Sequence, residues 1–136
     1  MTEKEIKNAA RYWMTIAKRD YETMLGLFRL KRYPECLFFG HIVLEKVLKA
    51  MVVTDTKKQP LLTHDLVRLS KLTNLEATEE EIDLLDSVND FNIRARYPEY
   101  KLKIYKTCTK EFTNKKLFFI KKFYKKVCQK IQSKKL

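Results

Sequence analysis

The segment richest in groups able to do chemistry runs from residue 89 to residue 100. Polar and charged side chains of both signs stand there beside a proline, namely Asn89, Asp90, Asn92, Arg94, Arg96, Glu99 and Tyr100. Arg94 and Arg96 are two of only seven arginines in a chain with 22 lysines. A guanidinium group offers a planar fork of donors that matches a phosphate bidentately. The segment therefore predicts a phosphate or RNA-backbone site, in which Asn92, Glu99 and Tyr100 orient the arginines or the ligand.

The same arginines have a purely structural interpretation. Either of them could pair with Asp86, Asp90 or Glu99 and so tie a turn around Tyr97 and Pro98 to the rest of the protein. The sequence leaves both interpretations open.

The two histidines of the chain do not make a metal site. His64 followed by Asp65 is typical of metal-dependent phosphohydrolases, but such sites need several more histidine and aspartate ligands. We instead predict a helix start here, with Thr63 as the cap and Asp65 facing the positive end of the helix dipole. No metal, cofactor or catalytic residue is predicted.

His41 belongs to a different pattern. Its spacing of four residues from Glu45, and again to Lys49, places all three on one side of a helix. We predict a polar stripe that crosses or edges the core, with contact to a ligand as the alternative.

Helical signals run along the whole chain. Thr2 with Glu5 and Thr78 with Glu81 match the capping box, in which each residue satisfies a backbone N–H near the other. Apolar residues then recur at steps of three or four. The predicted helices are one capped by Thr2 and ending near Leu30, one from Pro34 with an apolar run to Val53, a short one from Thr63 to Leu72, one from Thr78 that ends before Pro98, and a long one from after Tyr100 to about Ile131.

Composition agrees with an all-α protein. The chain has 136 residues, of which 45% are hydrophobic, and only two glycines and three prolines. An all-β fold would need more turn residues. We predict an antiparallel, up-and-down bundle of four long helices plus one short helix, formed by a single domain over residues 1–136.

Cysteine usage and hydropathy indicate a protein of the cytoplasm. Cys36, Cys108 and Cys128 are far apart and lack a Cys-x-x-Cys spacing, so we expect reduced core thiols. No stretch approaches the roughly 18 apolar residues of a membrane span, and the first residues do not resemble a signal peptide. We therefore expect no membrane association.

The net charge of +12 is concentrated at one end of the chain. Residues 1–100 carry 16 basic and 16 acidic side chains, whereas residues 101–136 carry 13 lysines and one acid, Glu111. A basic segment of this kind is typical of nucleic-acid partners, but lysines on a long helix are also often only a solvated face.

Phenylalanines in the lysine-rich C-terminal helix suggest a second apolar stripe. Phe112, Phe119 and Phe123 fall near one another and away from the predicted core stripe, which predicts contact with a second subunit or a partner protein. Their lysine neighbours favour an alternative, in which bases stack on the rings and phosphates meet the ammonium groups. The lysines in question are Lys115, Lys116, Lys126 and Lys130.

Three local patterns together resemble the HEPN domain, the higher eukaryotes and prokaryotes nucleotide-binding domain. They are Tyr-Pro-Glu-Cys-Leu-Phe-Phe-Gly-His-Ile-Val-Leu-Glu-Lys-Val-Leu-Lys-Ala from Tyr33, Thr-His-Asp-Leu-Val-Arg-Leu from Thr63, and Ala-Arg-Tyr-Pro-Glu-Tyr from Ala95. The resemblance implies an antiparallel helical bundle and a homodimer. It also implies a nucleotide- or nucleic-acid-associated accessory domain, paired with a small nucleotidyltransferase in a toxin–antitoxin or defence system.

The chain departs from the ribonucleases of that family. Those enzymes carry an arginine followed after four to six residues by a histidine, but no histidine follows His64 here. An Arg-Tyr-Pro-Glu turn stands in that place, and a glutamate is a poor proton donor at neutral pH. Binding is therefore our leading expectation. The alternatives are a metal-independent RNA-cleaving toxin with a non-standard site, and a non-catalytic module for protein interaction or dimerisation.

Overall fold

A computed structural model describes residues 1–134, without the side chain of Pro98. The described residues form six helices and no strand, so the protein is an all-α helical bundle, as predicted. The helices are α1 (Glu3–Arg29), α2 (Tyr33–Thr56), α3 (Leu66–Lys71), α4 (Glu79–Arg94), α5 (Pro98–Thr107) and α6 (Lys110–Ser133).

Both predicted capping boxes are confirmed. The backbone N–H of Glu5 donates to Thr2 Oγ1 at 3.1 Å, and the N–H of Thr2 donates back to Glu5 Oε1 at 3.1 Å. At the start of α4, Thr78 and Glu81 exchange the same two bonds at 3.1 and 2.9 Å. These bonds satisfy helix-end donors that would otherwise lack a partner, which fixes where α1 and α4 begin.

The core is built around α2. This helix carries fourteen buried residues, and its own apolar side chains point outward on nearly every side. The contact between α1 and α2 is the most extensive between any two helices, and the contact between α2 and α6 is the second most extensive. Gly40 permits the close approach of α6, because a Cβ atom there would stand 2.8 Å from Ile120 Cδ1.

The predicted last long helix is in fact two helices. The backbone leaves helical geometry at Cys108, with φ −81° and ψ 67°, and Thr109 then caps a new helix by accepting from the N–H of Phe112 at 3.2 Å. The bundle therefore has one helix more than the five that we predicted. Helix α5 begins at Pro98, so residues 95–97 form the short connection between α4 and α5.

The predicted cap of the short helix is also wrong. Asp65, not Thr63, caps α3 by accepting from the N–H groups of Val67 at 3.0 Å and Arg68 at 3.3 Å. Thr63 Oγ1 accepts instead from the N–H of Asp65 at 3.2 Å. A carboxylate at this place both bonds the N–H groups and meets the positive end of the helix dipole.

The cysteines are free thiols, and Cys36 and Cys108 are buried. Burial raises the pKa of Cys36 to about 12 and that of Cys108 to about 11. Both therefore stay protonated at neutral pH, as expected of core thiols.

Within residues 1–134, no helix is long and apolar enough to cross a membrane. Residues 135 and 136, which the predicted single domain includes, lie outside the described residues. The single domain stays a prediction.

Candidate phosphate-binding site

A cavity of about 300 Å³ opens between α4, α5 and α6, with Leu37 of α2 among its walls. Its floor is apolar, formed by Leu37, Val88, Phe91, Ile104 and Ile120. Polar, basic and aromatic groups complete the lining: Ser87, Asp90, Arg94, Tyr100, Lys103, Thr107, Phe112 and Lys116. An apolar pocket with a few converging polar groups is the usual form of a small-ligand site.

Three cations from three different helices reach this cavity. Arg94 comes from the end of α4, Lys103 from α5 and Lys116 from α6. Lys116 is held in place, because its Nζ donates to Ser87 Oγ at 3.0 Å and lies 5.9 Å from the centre of the Phe112 ring. Burial, and secondarily the neighbouring Lys115, lower the pKa of Lys116.

Arg94 already has a carboxylate partner. Its Nε lies 3.1 Å from Oδ2 of Asp90, one turn earlier on α4, and the two side chains are 60% and 58% exposed. This pair matches the structural interpretation of Arg94. An exposed ion pair is worth only about 0–1 kcal/mol, so an incoming phosphate can compete with Asp90.

Arg96 lies elsewhere. It lines a second and wider groove of about 950 Å³, together with His41, His64 and Asn92. The other groups along this groove include four aspartates, Asp65, Asp83, Asp86 and Asp90. The two arginines, which we predicted to share one site, therefore line different depressions of the surface.

The other predicted site residues, Asn92, Glu99 and Tyr100, do not line one depression either. Tyr100 lines the cavity with Arg94, while Glu99 is exposed and lines neither the cavity nor the groove. Asn92 is only 4% exposed, and its Oδ1 atom has no hydrogen-bond partner among the described residues. Tyr100 and Arg94 are thus the two predicted residues that share the cavity.

The predicted polar stripe of α2 is confirmed. His41, Glu45 and Lys49 are all buried, and Lys49 Nζ donates to Glu45 Oε2 at 3.1 Å. His64 approaches the same carboxylate, with its Nδ1 atom 2.8 Å from Glu45 Oε1. Burial alone raises the pKa of Glu45, but the hydrogen bonds of His64 and Lys49 outweigh it and leave the pKa below its ordinary value.

His41 holds the backbone of the same segment. Its Nε2 atom lies 2.9 Å from the carbonyl oxygen of His64. Burial lowers the pKa of His41, although Glu45 acts in the opposite direction. His41 and Glu45 of α2 therefore contact the backbone and the ring of His64, respectively, and so hold the segment that leads into α3.

The interface candidates on α6 separate into two kinds. Phe112 is 38% exposed and lines the cavity, and Phe119 is 44% exposed. Phe123 is only 2% exposed and belongs to the core, so the prediction that it lies away from the core stripe is wrong. It falls three residues after Ile120 and four before Val127, which are both buried, and therefore shares their face.

Sequence reasoning missed Ser87 and Lys103, and it named Lys116 only beside the phenylalanines of α6, not with Arg94. Their convergence with Arg94 depends on how three helices pack, which no local pattern states. One usable signal was the spacing of four residues from Phe112 to Lys116 and again to Ile120, which places all three on one side of α6. Among the described residues, no group of three or more histidine, cysteine, aspartate or glutamate side chains is arranged to hold a metal ion.

A known structure shares this fold. The crystal structure of TT1696 from Thermus thermophilus superposes with a TM-score of 0.76 over 90% of this chain and 98% of that chain. At 19% sequence identity, the likeness concerns the fold alone. A search of curated proteins finds no match.

A comparison with protein families finds the HEPN domain over residues 10–132. The match spans most of the chain and includes the three segments that carry the resemblance in the sequence. The chain belongs to the HEPN domain family.

Proposed function

We propose that this HEPN domain is an accessory domain that binds a phosphate-bearing ligand, a nucleotide or a nucleic acid, in the cavity between α4, α5 and α6. The observation that carries the proposal is the meeting of Arg94, Lys103 and Lys116 around an apolar floor. Three cations at one small cavity favour an anionic ligand, because a phosphate forms charge-assisted hydrogen bonds with such groups.

The rest of the lining supports a nucleotide over a simple anion. Tyr100 and Phe112 stand at the cavity with partly exposed rings, on which a base can stack. Ser87 and Asp90 offer hydrogen-bonding groups for the polar edge of a base. A volume of about 300 Å³ lies within the range of small-ligand sites.

Membership of the family supports three further parts of the proposal. The protein acts as a homodimer, it pairs with a small nucleotidyltransferase, and the pair serves in a toxin–antitoxin or defence system of the cytoplasm. The Arg-Tyr-Pro-Glu segment from Arg96, in place of the arginine and histidine of the ribonucleases, defines a subtype of the family. Purification with the neighbouring gene product tests the pairing, which a failure to co-purify would contradict.

A binding titration tests the cavity directly. Purified protein is titrated calorimetrically with nucleoside triphosphates and with a short RNA, at about 50 mM and about 200 mM salt. We expect binding that is tightest at low salt, because phosphate contacts release counterions. Arg94→Ala should weaken it about tenfold, since a hydrogen bond to a charged group is lost.

Arg96→Ala is the matched control. It removes the same side chain only two residues away, but from the groove and not from the cavity. Equal losses in both variants would contradict the assignment to the cavity. Absence of binding at low salt by the folded protein would contradict the proposal altogether.

A second candidate function is metal-independent RNA cleavage in the groove. The observation that favours it is that Arg96 shares this groove with both histidines, although His41 and His64 precede it by more than thirty residues. Glu45 holds His64 Nδ1, the imidazole is 69% exposed, and its Nε2 is left for proton transfer. A histidine for acid–base work and an arginine for charge stabilisation suit cleavage through the 2′-hydroxyl. The aspartates along the groove oppose it, because they repel the RNA backbone.

A cleavage assay separates the two functions. Single-stranded RNA is incubated with the protein in the presence of a chelator, alongside His64→Ala, Arg96→Ala and Arg94→Ala. RNA cleavage in the groove requires His64 and Arg96 and tolerates the loss of Arg94. Intact RNA with folded wild-type protein would exclude the second candidate.

A further inference from the structure

The outer face of α6 carries a pair of exposed phenylalanines. Phe118 is 59% exposed and Phe119 is 44% exposed, and their rings meet edge to face with 5.3 Å between the centroids. Two exposed phenylalanine rings in contact leave a larger continuous apolar area in water than a single exposed ring does. The pair is therefore a candidate contact surface.

Lysines surround this pair on the same face. Lys115 precedes the rings by one turn of helix, Lys122 follows them by one turn, and Lys125 stands nearly a further turn on. All three are exposed. Over residues 101–136 the only acid is Glu111, which lies four residues before Lys115 on α6. Among the described residues, Lys115, Lys122 and Lys125 form no ion pair.

This combination favours a polyanion over a protein surface. The centre of a protein interface is typically depleted in lysine and enriched in apolar groups. Phe123, which would have extended the apolar stripe, is buried in the core of the monomer. What remains exposed is aromatic rings set among lysines, the arrangement that non-specific single-strand binding proteins use for stacking bases and neutralising phosphates.

We infer that the outer face of α6 binds single-stranded nucleic acid, with bases stacked on Phe118 and Phe119 and phosphates paired with Lys115, Lys122 and Lys125. This inference rests on the proposed function for its class of ligand, and it selects a nucleic-acid strand over a free nucleotide. The strand has a route to the cavity, because Phe112 and Lys116 line the cavity and precede the phenylalanine pair on α6, Phe112 by nearly two turns and Lys116 by less than one.

The experiment measures the affinity of a fluorescently labelled oligouridylate by anisotropy, with strands of about 4 and about 12 nucleotides. Phe118→Ala and Phe119→Ala should each weaken binding about tenfold, because each removes one stacking platform. Phe119→Tyr keeps an aromatic ring and should bind like the wild type. Tyr12→Ala is the control, since Tyr12 is an exposed aromatic of α1.

Salt dependence tests the lysines. Lys122→Ala combined with Lys125→Ala removes about two phosphate contacts, so the slope of log K against log salt should fall by about 1.4. The control combines Lys4→Ala with Lys7→Ala, two exposed lysines at the start of α1. An equal fall in the control would mean that total charge alone drives binding, and would overturn the inference.

The remaining outcomes separate this inference from the proposed function. Unchanged affinity in Phe118→Ala and Phe119→Ala overturns the strand-binding face, while the proposed function stands if Arg94→Ala still weakens binding of a single nucleotide. A loss of oligomer mass by light scattering in the phenylalanine variants, without a loss of RNA affinity, would show that the face is an interface between two copies. All variants are compared by circular dichroism and thermal unfolding, so that a misfolded variant is recognised.

Discussion

Arg94 and Arg96 lie two residues apart in the chain and line two different depressions of the surface. Arg94 reaches the cavity between α4, α5 and α6, whereas Arg96 lines the groove with His41 and His64. Arg94 is the last residue of α4, whereas Arg96 lies in the connection of residues 95–97 between α4 and α5. The basic segment that looks like one site in the sequence therefore lines two depressions, so a variant of either arginine is a matched control for a variant of the other.

Replacing Asp90 should strengthen the binding of phosphate. Asp90→Asn removes the carboxylate that holds Arg94 at 3.1 Å and takes a negative charge away from the cavity. We expect affinity for a nucleotide to rise about two- to fivefold, the range that corresponds to an exposed ion pair. Calorimetric titration of the variant against wild type measures this change, and weaker binding would argue against phosphate at Arg94.

Replacing Glu45 should destabilise the protein strongly. Glu45→Gln leaves the buried ammonium group of Lys49 without its counter-charge and keeps only one acceptor oxygen for Lys49 and His64 together. Loss of one partner of a buried ion pair costs about 3–5 kcal/mol in the free energy of unfolding. Urea denaturation gives the value, with Glu80→Gln as the exposed control. A difference below about 0.5 kcal/mol between the two variants would contradict a structural role for the polar stripe.

Stability should fall as the pH is lowered through the range in which histidine titrates. Burial lowers the pKa of His41 from 6.5, so below about 6.5 the unfolded chain binds a proton that the folded protein resists. The stabilising contribution of neutral His41 is present above that pH and is lost as the pH falls. Thermal unfolding of the wild type between pH 8 and pH 5 should show this loss, and His41→Asn should reduce it. An unchanged pH profile in the variant would show that another group is responsible.

Two phenylalanines of α6 should respond very differently to truncation. Phe123→Ala opens a cavity in the core and should cost about 3–5 kcal/mol in the free energy of unfolding. Phe118→Ala removes an exposed ring and should change it by less than about 0.5 kcal/mol. Denaturant unfolding of the two variants measures both values, and similar losses would mean that α6 is rotated relative to the packing described above.

The features that the sequence predicted correctly are local ones. The capping boxes at Thr2 and Thr78 join residues only three positions apart, so their chemistry is visible in the sequence itself. The central place of α2 agrees in the same way with its apolar run, which is interrupted only by the polar stripe of His41, Glu45 and Lys49. The break at Cys108 was missed because neither glycine nor proline marks it, and the Thr109 cap is the one local sign of a new helix.

The candidate site was predictable only in part, because it depends on contacts between distant segments. Arg94 and Tyr100 were identified from their types and spacing, and both line the cavity. Lys116 joins them only because α6 packs beside α4, where its ammonium group meets Ser87. The approach of His64 to Glu45 likewise spans nineteen residues, and no periodic pattern encodes it.

Mapping the bound ligand on the protein tests the central claim most directly. Backbone amide shifts are recorded by NMR while a nucleoside triphosphate, and then a short oligouridylate, is added at low salt. The proposed function predicts saturable shifts at Ser87, Arg94, Tyr100, Lys103 and Lys116, around the cavity. Shifts confined to His41, His64 and Arg96, or no saturable shifts anywhere, would contradict it.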